Sequence, residues 1–301
     1  MKHDPVLLQE VLGLADLQPG QKVLDCTLGL GGYAAAFASV VGPSGTVIGL
    51  EWDERNLSVA AHNLAPYGNV VLIRENFRNA RTAVETAGHA PLDAAIFDLG
   101  LSSPHVDDAK RGFSYKLDGP LDMRFSHQSP TTAADIVNEA TERTLETILK
   151  KYGEEPQAWR IAQAIIKNRP LATTRQLVDC INATVREDLR GQTVKRVFQA
   201  LRIEVNDEME SIRLGLQGTF DSLRPQGKLI VVSYHSLEDA IVKDFFRSQT
   251  STCICPKESP VCTCSHPLAE DLTRKPILPT DNEQKENPRS RSAKLRAIRK
   301  L

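Results

Sequence analysis

The chain has almost no surplus of either charge sign: 37 Lys and Arg stand against 38 Asp and Glu, a formal net charge of −1. That excludes a uniformly basic nucleic-acid binder, so any surface for a polyanion must be local. No apolar run approaches the length of a transmembrane span, and Met1-Lys2-His3-Asp4-Pro5 has no signal-peptide core. The expectation is a cytoplasmic protein with no membrane partner. Internal repeats are lacking too. What remains, 41% hydrophobic and 25% charged residues over 301 positions, is a globular composition with ample core. It suits one large domain, or one domain with an insert.

Cysteine is sparse except in one loop. Cys26 and Cys180 lie in apolar patterns and are expected to be buried thiols. Cys253-x-Cys255 and Cys262-x-Cys264, with His266 nearby, form a compact four-sulfur set that could hold zinc in a reducing compartment. The one-residue spacers are tighter than the usual two, and Pro256 and Pro260 stiffen the loop. No metal site is assigned, and the four are read as thiols.

The stretch Val23 to Asp53 organises the rest. An apolar run, Lys22 to Cys26, reads as a buried strand and leads into a turn with Gly29, Gly31 and Gly32. The Ala-rich segment Ala34 to Val40 has high helix propensity, and Gly42-Pro43-Ser44-Gly45 breaks it before a second apolar run, Thr46 to Leu50, ending on Glu51. This is the first strand–helix–strand unit of a parallel α/β sheet. Glycines let a ligand approach the backbone, the first helical N–H groups face it, and Glu51 stands where an acid grips ribose hydroxyls.

Gly29-x-Gly31-x-x-Ala34 also fits a dinucleotide fingerprint. Asp25 and Thr27 at the strand's end point elsewhere, because a carboxylate there repels a pyrophosphate and holds an ammonium or sulfonium. S-adenosylmethionine is favoured, with NAD and a merely structural turn left open.

Further strands are predicted at Val70–Ile73, followed by Phe77, and at Leu92–Leu99, followed by Gly100-Leu101-Ser102-Ser103-Pro104-His105. Asp25, Glu51, Phe77 and Asp98 all fall at carboxyl ends of strands, where open parallel sheets bind ligands. Phe77 either fills core or flanks an adenine; Asp98 either caps a helix or serves catalysis or substrate holding. From about Val106 to Leu216 only helical stripes occur: Leu145, Ile148, Leu149 and Tyr152; Trp159, Ala162, Ile165 and Ile166; Leu177, Val178, Ile181 and Val185; and Val194 to Ile212. An apolar strand resumes at Gly227–Ser233, with Tyr234 and His235 directly after it. His3 to Leu14 reads as an amphipathic helix entered through Pro5, and Asp281 to Asn287 as a loosely ordered polar stretch. The final Arg289 to Leu301 has six Lys and Arg and no acid, and reads as a phosphate-contacting tail.

Motifs spanning nearly the whole chain carry a closer resemblance. They are His3-x-Pro5-Val6-Leu7-Leu8, Asp25-x-Thr27-x-Gly29-x-Gly31-Gly32, Asp98-Leu99-Gly100-x-Ser102-Ser103-Pro104, Arg111-Gly112-Phe113-Ser114 and Asp118 to Arg124. Tyr152-Gly153-Glu154-Glu155, Phe198 to Ile203 with Val205-Asn206, His235 to Asp239, and Asn287 to Arg296 complete the set. With these the chain resembles the small-subunit ribosomal RNA cytosine-N4 methyltransferase family (RsmH, or MraW). The resemblance implies a Rossmann-like class I methyltransferase sheet, residues 1–107 and 215–301, with an all-helical substrate-recognition insert at 108–214. It implies transfer of a methyl group from S-adenosylmethionine to the N4 amine of a decoding-centre cytidine. The partner implied is small-subunit rRNA, within an assembled or assembling subunit; a homodimer is left open.

Expected cofactor contacts are Asp25, Gly29, Gly31, Gly32, Tyr33, Glu51, Phe77, Asp98 and His105. Asp98, Ser102, Ser103 and His235 are the expected catalytic set, with His235 a proton acceptor. Tyr33, Glu51 and His105 stand where the family usually has His, Asp and Gln. Glu51 keeps both ribose hydroxyls in reach, and Tyr33 offers a ring to the sulfonium. Two rivals from other classes are an NAD-linked oxidoreductase, disfavoured by Asp25 and by the lack of a second dinucleotide half, and a non-catalytic RNA-binding assembly factor, disfavoured by the retained Asp25, Gly29, Gly31 and Asp98.

Overall fold

Apolar runs without alternation mark strands covered on both faces, and the computed structural model, which describes residues 5–253, 264 and 266–301, places them so. The chain runs through α1 (Leu8–Ala15), β1 (Lys22–Asp25), α2 (Gly32–Val41), β2 (Thr46–Leu50), α3 (Glu54–Leu64), β3 (Val70–Ile73), α4 (Ala80–Thr86) and β4 (Leu92–Asp98). A helical stretch follows: α5 (Ser103–Asp107), α6 (Ala133–Glu139), α7 (Glu142–Gly153), α8 (Ala158–Lys167), α9 (Thr174–Thr184) and α10 (Arg190–Asn206). The sheet resumes after α11 (Glu208–Ser222) with β5 (Leu223–Ser233), α12 (Ser236–Thr250), β6 (Ala269–Asp271), α13 (Asp281–Glu286) and β7 (Lys294–Lys300).

The seven strands lie in the order β3-β2-β1-β4-β5-β7-β6. Neighbours from β3 through β5 are parallel, whereas β7 is antiparallel to both β5 and β6. The order reverses between β1 and β4, the switch point where such sheets bind ligands. Val23, Val47, Ile96, Ile230, Val232, Leu295 and Ala297 form one core with Val11, Phe37 and Leu64. On the other face Phe97 meets Phe77 edge to face, and α11 crosses so closely that a Cβ on Gly215 would lie 2.8 Å from Phe77.

Contacts divide the chain into a sheet unit, Met1–Gly100 with Met209–Leu301, and a helical unit, Leu101–Glu208; the sequence reading sets these boundaries at 108 and 214. His105 explains the earlier start, since it is buried between Phe113 and Phe125 of the helical unit at ring distances of 5.1 and 5.0 Å. Leu145, Leu149, Ile161, Ile165, Leu177, Ile181, Val197 and Leu201 make that unit's core.

Several local expectations are corrected. The first helix begins only at Leu8, because Leu7 takes a left-handed φ of 54°. On α8 the buried stripe is Ala158, Ile161, Ala162 and Ile165, while Trp159 is 52% exposed. The expected loose stretch at Asp281 is the short helix α13, capped by the Thr280 hydroxyl on the Glu283 N–H. Strand β6 carries too little apolar signal, three residues with one buried, to be read in advance.

The basic tail is a strand of the sheet, with Leu295, Ala297 and Ile298 fully buried. Its cations hold the fold: Arg296 and Lys294 pair with Asp239, Arg299 pairs with Glu270, and Lys300 Nζ donates to carbonyls at the end of α11. Alternation of Lys and Arg with Leu and Ala over Lys294–Ala297 suits a strand with one polar face. Two cations of the motifs that carry the family resemblance are structural too. Arg111 is buried, donating to the carbonyls of Arg124 and Phe125, and Arg124 binds both oxygens of Asp122. Asn206 ties the same loop down through the Phe125 N–H and the Met123 carbonyl.

Cys26 and Cys180 are buried, as expected of apolar positions. Cys255 and Cys262 lie outside the described residues; of the same set, Cys264 Sγ is 3.7 Å from Cys253 Sγ. Among the described residues no three metal-binding side chains gather, and no helix is long and apolar enough to cross a membrane.

Candidate active site at the carboxyl ends of the strands

Two adjacent parallel strands, β1 and β4, end on carboxylates, Asp25 and Asp98. Their spacing is held by the loop between them in space. The Asp98 N–H donates to Thr27 Oγ1 at 2.6 Å, and the Thr27 N–H donates to Asp25 Oδ1 at 3.2 Å. Thr27 thus bridges the two strand ends through its side chain and its backbone. Asp25 is fully buried, and among the described residues its Oδ2 has no hydrogen-bond partner. Burial, with the charges of Asp98 and Glu51 adding to it, raises its pKa to about 7. Asp98 Oδ1 accepts from the Tyr234 hydroxyl at 2.6 Å. Burial raises Asp98 to about 7 as well; the Tyr234 bond opposes this and Glu238 reinforces it.

Glu51 follows β2 and accepts from the Asp53 N–H at 2.8 Å, while Asp53 itself caps α3. Burial lifts Glu51 to about 7, Asp53 adds to the lift, and hydrogen bonds from Gly29 and Asn56 resist it. Three acids therefore face one region with no cation among the partners that set their ionisation. Such a cluster favours a bound positive charge and hydroxyl donors, and disfavours a pyrophosphate.

The glycines divide by role. At Gly29, φ is +54° and an added Cβ would meet nothing nearer than 3.8 Å, so the turn is open there. Gly31, at φ +89°, has Leu64 only 2.8 Å from where a Cβ would stand, and Gly32 has Pro5 at 2.7 Å. Packing, rather than ligand approach, demands glycine at those two. Gly31→Val would therefore disturb the fold, contrary to a reading in which it touches the ligand alone.

Other expected site residues are placed differently. Tyr33 is a core residue, 4% exposed, stacked on Phe37, with its hydroxyl donated to the Val6 carbonyl. Phe77 is half-buried just past β3, edge-on to Phe97, so it serves the core and a strand end together. His235 folds back on α12: its Nδ1 accepts the Glu238 N–H at 3.3 Å, and Nε2 lies 3.0 Å from Glu238 Oε1. Glu238 Oε2 returns the cap by accepting the Tyr234 and His235 N–H groups. His235 thus caps α12. Ser102, Ser103 and His105 belong to the helical unit, where Ser102 Oγ lies 3.0 Å from His105 Nδ1.

Tyr234 is the site residue that sequence reading overlooked. The available signal was its position, one residue past the strand that pairs with β4, beside a histidine that drew the attention.

The strand order and the acidic strand ends define a Rossmann-like methyltransferase sheet. The chain belongs to the MraW methylase family, whose model matches residues 1–301. Its relatives include a protein of Symbiobacterium thermophilum named ribosomal RNA small subunit methyltransferase H, 45% identical over 307 residues, covering 99% of this chain and 96% of that one. One of the same name from Heliobacterium modesticaldum is 44% identical over 308 residues, covering 99% and 98%. Among solved structures, an rRNA methylase from Streptococcus thermophilus aligns over 100% of this chain and 99% of that chain, at 13% identity and a TM-score of 0.46. The family's methyl donor is S-adenosylmethionine, and the site's chemistry fits it: the unpartnered Asp25 Oδ2 is a buried acceptor awaiting a donor.

Proposed function

We propose that this protein methylates the N4 exocyclic amine of a cytidine in the decoding centre of small-subunit (16S) ribosomal RNA. Relatives at 45% and 44% identity, named for small-subunit rRNA, supply the substrate class. The observation that carries the chemistry is the pair of carboxylates at adjacent strand ends, Asp25 with an unpartnered oxygen and Asp98 oriented by Tyr234.

S-adenosylmethionine supplies an electrophilic methyl on a sulfonium. Asp25 holds the donor's positive end through Oδ2, Glu51 accepts from its ribose hydroxyls, Phe77 flanks its adenine, and Gly29 leaves the backbone clear. These assignments follow from charge and from position at the strand ends. The cytosine amine is a poor nucleophile because its lone pair is delocalised into the ring. A carboxylate accepting one of its N–H bonds favours the pyramidal, nucleophilic form; as the new N–C bond forms the methyl–sulfur bond would break, leaving the neutral thioether S-adenosylhomocysteine, and the carboxylate takes the proton released. Asp98 fills that role, since Oδ1 is already bound by Tyr234 and Oδ2 remains for the amine. A pKa near 7 suits it, being high enough to accept a proton and low enough to be ionised often. Beyond this, rate comes from holding the amine in line with the methyl, and the base must leave its stack to get there. The helical unit supplies the RNA surface through exposed cations such as Lys150, Lys151 and Arg160.

The test is a labelling experiment. Small ribosomal subunits and naked 16S rRNA, both lacking the modification, are incubated with methyl-labelled S-adenosylmethionine, and the RNA is digested to nucleosides. Label in N4-methylcytidine is expected. Label in any other nucleoside, or in none, overturns the assignment.

A further inference from the structure

Tyr234 follows β5, the strand hydrogen-bonded to β4, and its ring rests against Gly100, where an added Cβ would stand 3.2 Å from Tyr234 Cδ2. The seat fixes the hydroxyl 2.6 Å from Asp98 Oδ1. From below, the Thr27 hydroxyl fixes the Asp98 backbone. Among the described residues, Tyr234 is the one side chain that donates to the Asp98 carboxylate. The other groups whose charge bears on the pair are Glu238 from α12, Asp25 from β1 and Tyr33 from α2. None of them is a cation, so among the described residues no other charged group favours the ionised carboxylate.

We infer that Tyr234 is a positioning residue for the methyl transfer: its hydroxyl clamps Oδ1 of Asp98, presents Oδ2 to the target amine, and keeps the carboxylate ionised in a nest of acids. The inference rests on the reading of Asp98 as the acceptor. Burial drives the Tyr234 phenol well above its ordinary range, so it stays protonated and remains a donor throughout neutral pH. The sign follows: a hydrogen bond donated to the anion lowers the pKa of Asp98, and removing it raises that pKa. A bond of this charge-assisted kind corresponds to about one to two pH units.

Turnover of Y234F and of the parent on small ribosomal subunits is measured from pH 5.5 to 9, with S-adenosylmethionine titrations and thermal melts alongside. Phenylalanine keeps the ring against Gly100, so the fold is retained. The expected result is an acidic limb of kcat displaced upward by about one pH unit or more, with the high-pH rate recovered to within a few-fold and cofactor affinity little changed. A limb that coincides with the parent's overturns the clamp, and so does a loss equal at every pH, which marks a merely structural tyrosine. D98N separates this from the underlying reading. If the limb vanishes in D98N but stays put in Y234F, Asp98 acts without Tyr234. If D98N keeps both the rate and the limb, Asp98 is not the acceptor and the whole assignment falls.

Discussion

Two sets of partly or wholly buried acids in this chain behave in opposite ways. Asp239 on α12 is surrounded by cations from β7: burial opposes its ionisation, but Arg296 and Lys294 outweigh that and hold it below the usual range. Asp122 is likewise held down by Arg124 against the pull of burial. Asp25, Glu51 and Asp98, at the ends of β1, β2 and β4, are all raised to about 7, and among the described residues none has a cationic partner. An acid that serves the fold is packed with its counter-charge; on the proposed reading, an acid that serves a ligand is packed without it and waits for the ligand to bring one. The basic tail and the acidic strand ends, both conspicuous in sequence, fall on opposite sides of that line.

The most severe way to break the comparison is to remove the structural side of it. Deleting Arg289–Leu301 takes away β7, three fully buried side chains and the cations around Asp239. Loss of cooperative melting is expected, followed by circular dichroism. A truncated protein that melts like the parent and loses only RNA affinity would return the tail to a phosphate-binding role.

Next in size is the functional side. D98N should lower turnover about 10²–10⁴-fold, the usual worth of a positioned proton acceptor, with S-adenosylmethionine affinity kept within a few-fold. Equal losses in binding and rate would make Asp98 a cofactor ligand instead.

A matched pair sharpens the contrast in stability. Asp25 titrates higher folded, about 7, than its ordinary 3.8, so its contribution favours the fold below pH 4 and is lost as pH climbs through 7. D25N should therefore stabilise the ligand-free protein at pH 8, by at most about 4 kcal/mol, while sharply weakening cofactor binding. Asp239 runs the other way: its lowered pKa lends stability at neutral pH that fades as pH falls through the acid range. D239N should cost about 1–2 kcal/mol at pH 7, discounted for its partial exposure. Chemical denaturation of both variants at pH 5 and 8 checks the opposite signs, and two losses of equal size would erase the distinction.

The smallest effect concerns the ligand itself. Because a cationic donor requires ionised acids, affinity for S-adenosylmethionine should tighten between pH 6 and 8, by at most about tenfold per pH unit for each proton released. Calorimetry in two buffers of different ionisation heat counts those protons. A flat affinity with no proton release would mean that the acids are ionised before the ligand arrives.

Legibility followed the range of the interactions. The β1–α2–β2 unit, β3, β4 and the helical stripes were readable because propensity, glycine and burial pattern act over a few residues. Asp25 and Asp98 were readable because strand ends of a parallel sheet converge whatever the loops do. Glu51 followed by the same rule. The surroundings of Tyr33 were not readable because its hydroxyl meets Val6, outside its local stretch, nor those of His235, whose ring enters a capping box. Trp159 was misplaced because α8 buries the stripe one position away.

By itself, the sequence determined the alternation of strand and helix, the helical insert, and the ring of acids at the strand ends, since each depends on residue type and spacing along the chain. Only the tertiary structure decided which charges were already matched. Arg111 and Arg124 close a loop, and Lys294, Arg296 and Lys300 stitch β7 to its neighbours, whereas Asp25 keeps an oxygen with no partner. The reason is that a charge's work depends on what the fold brings within hydrogen-bonding distance. Partners such as Tyr234 and Asp98, 136 residues apart, meet only when the sheet is assembled.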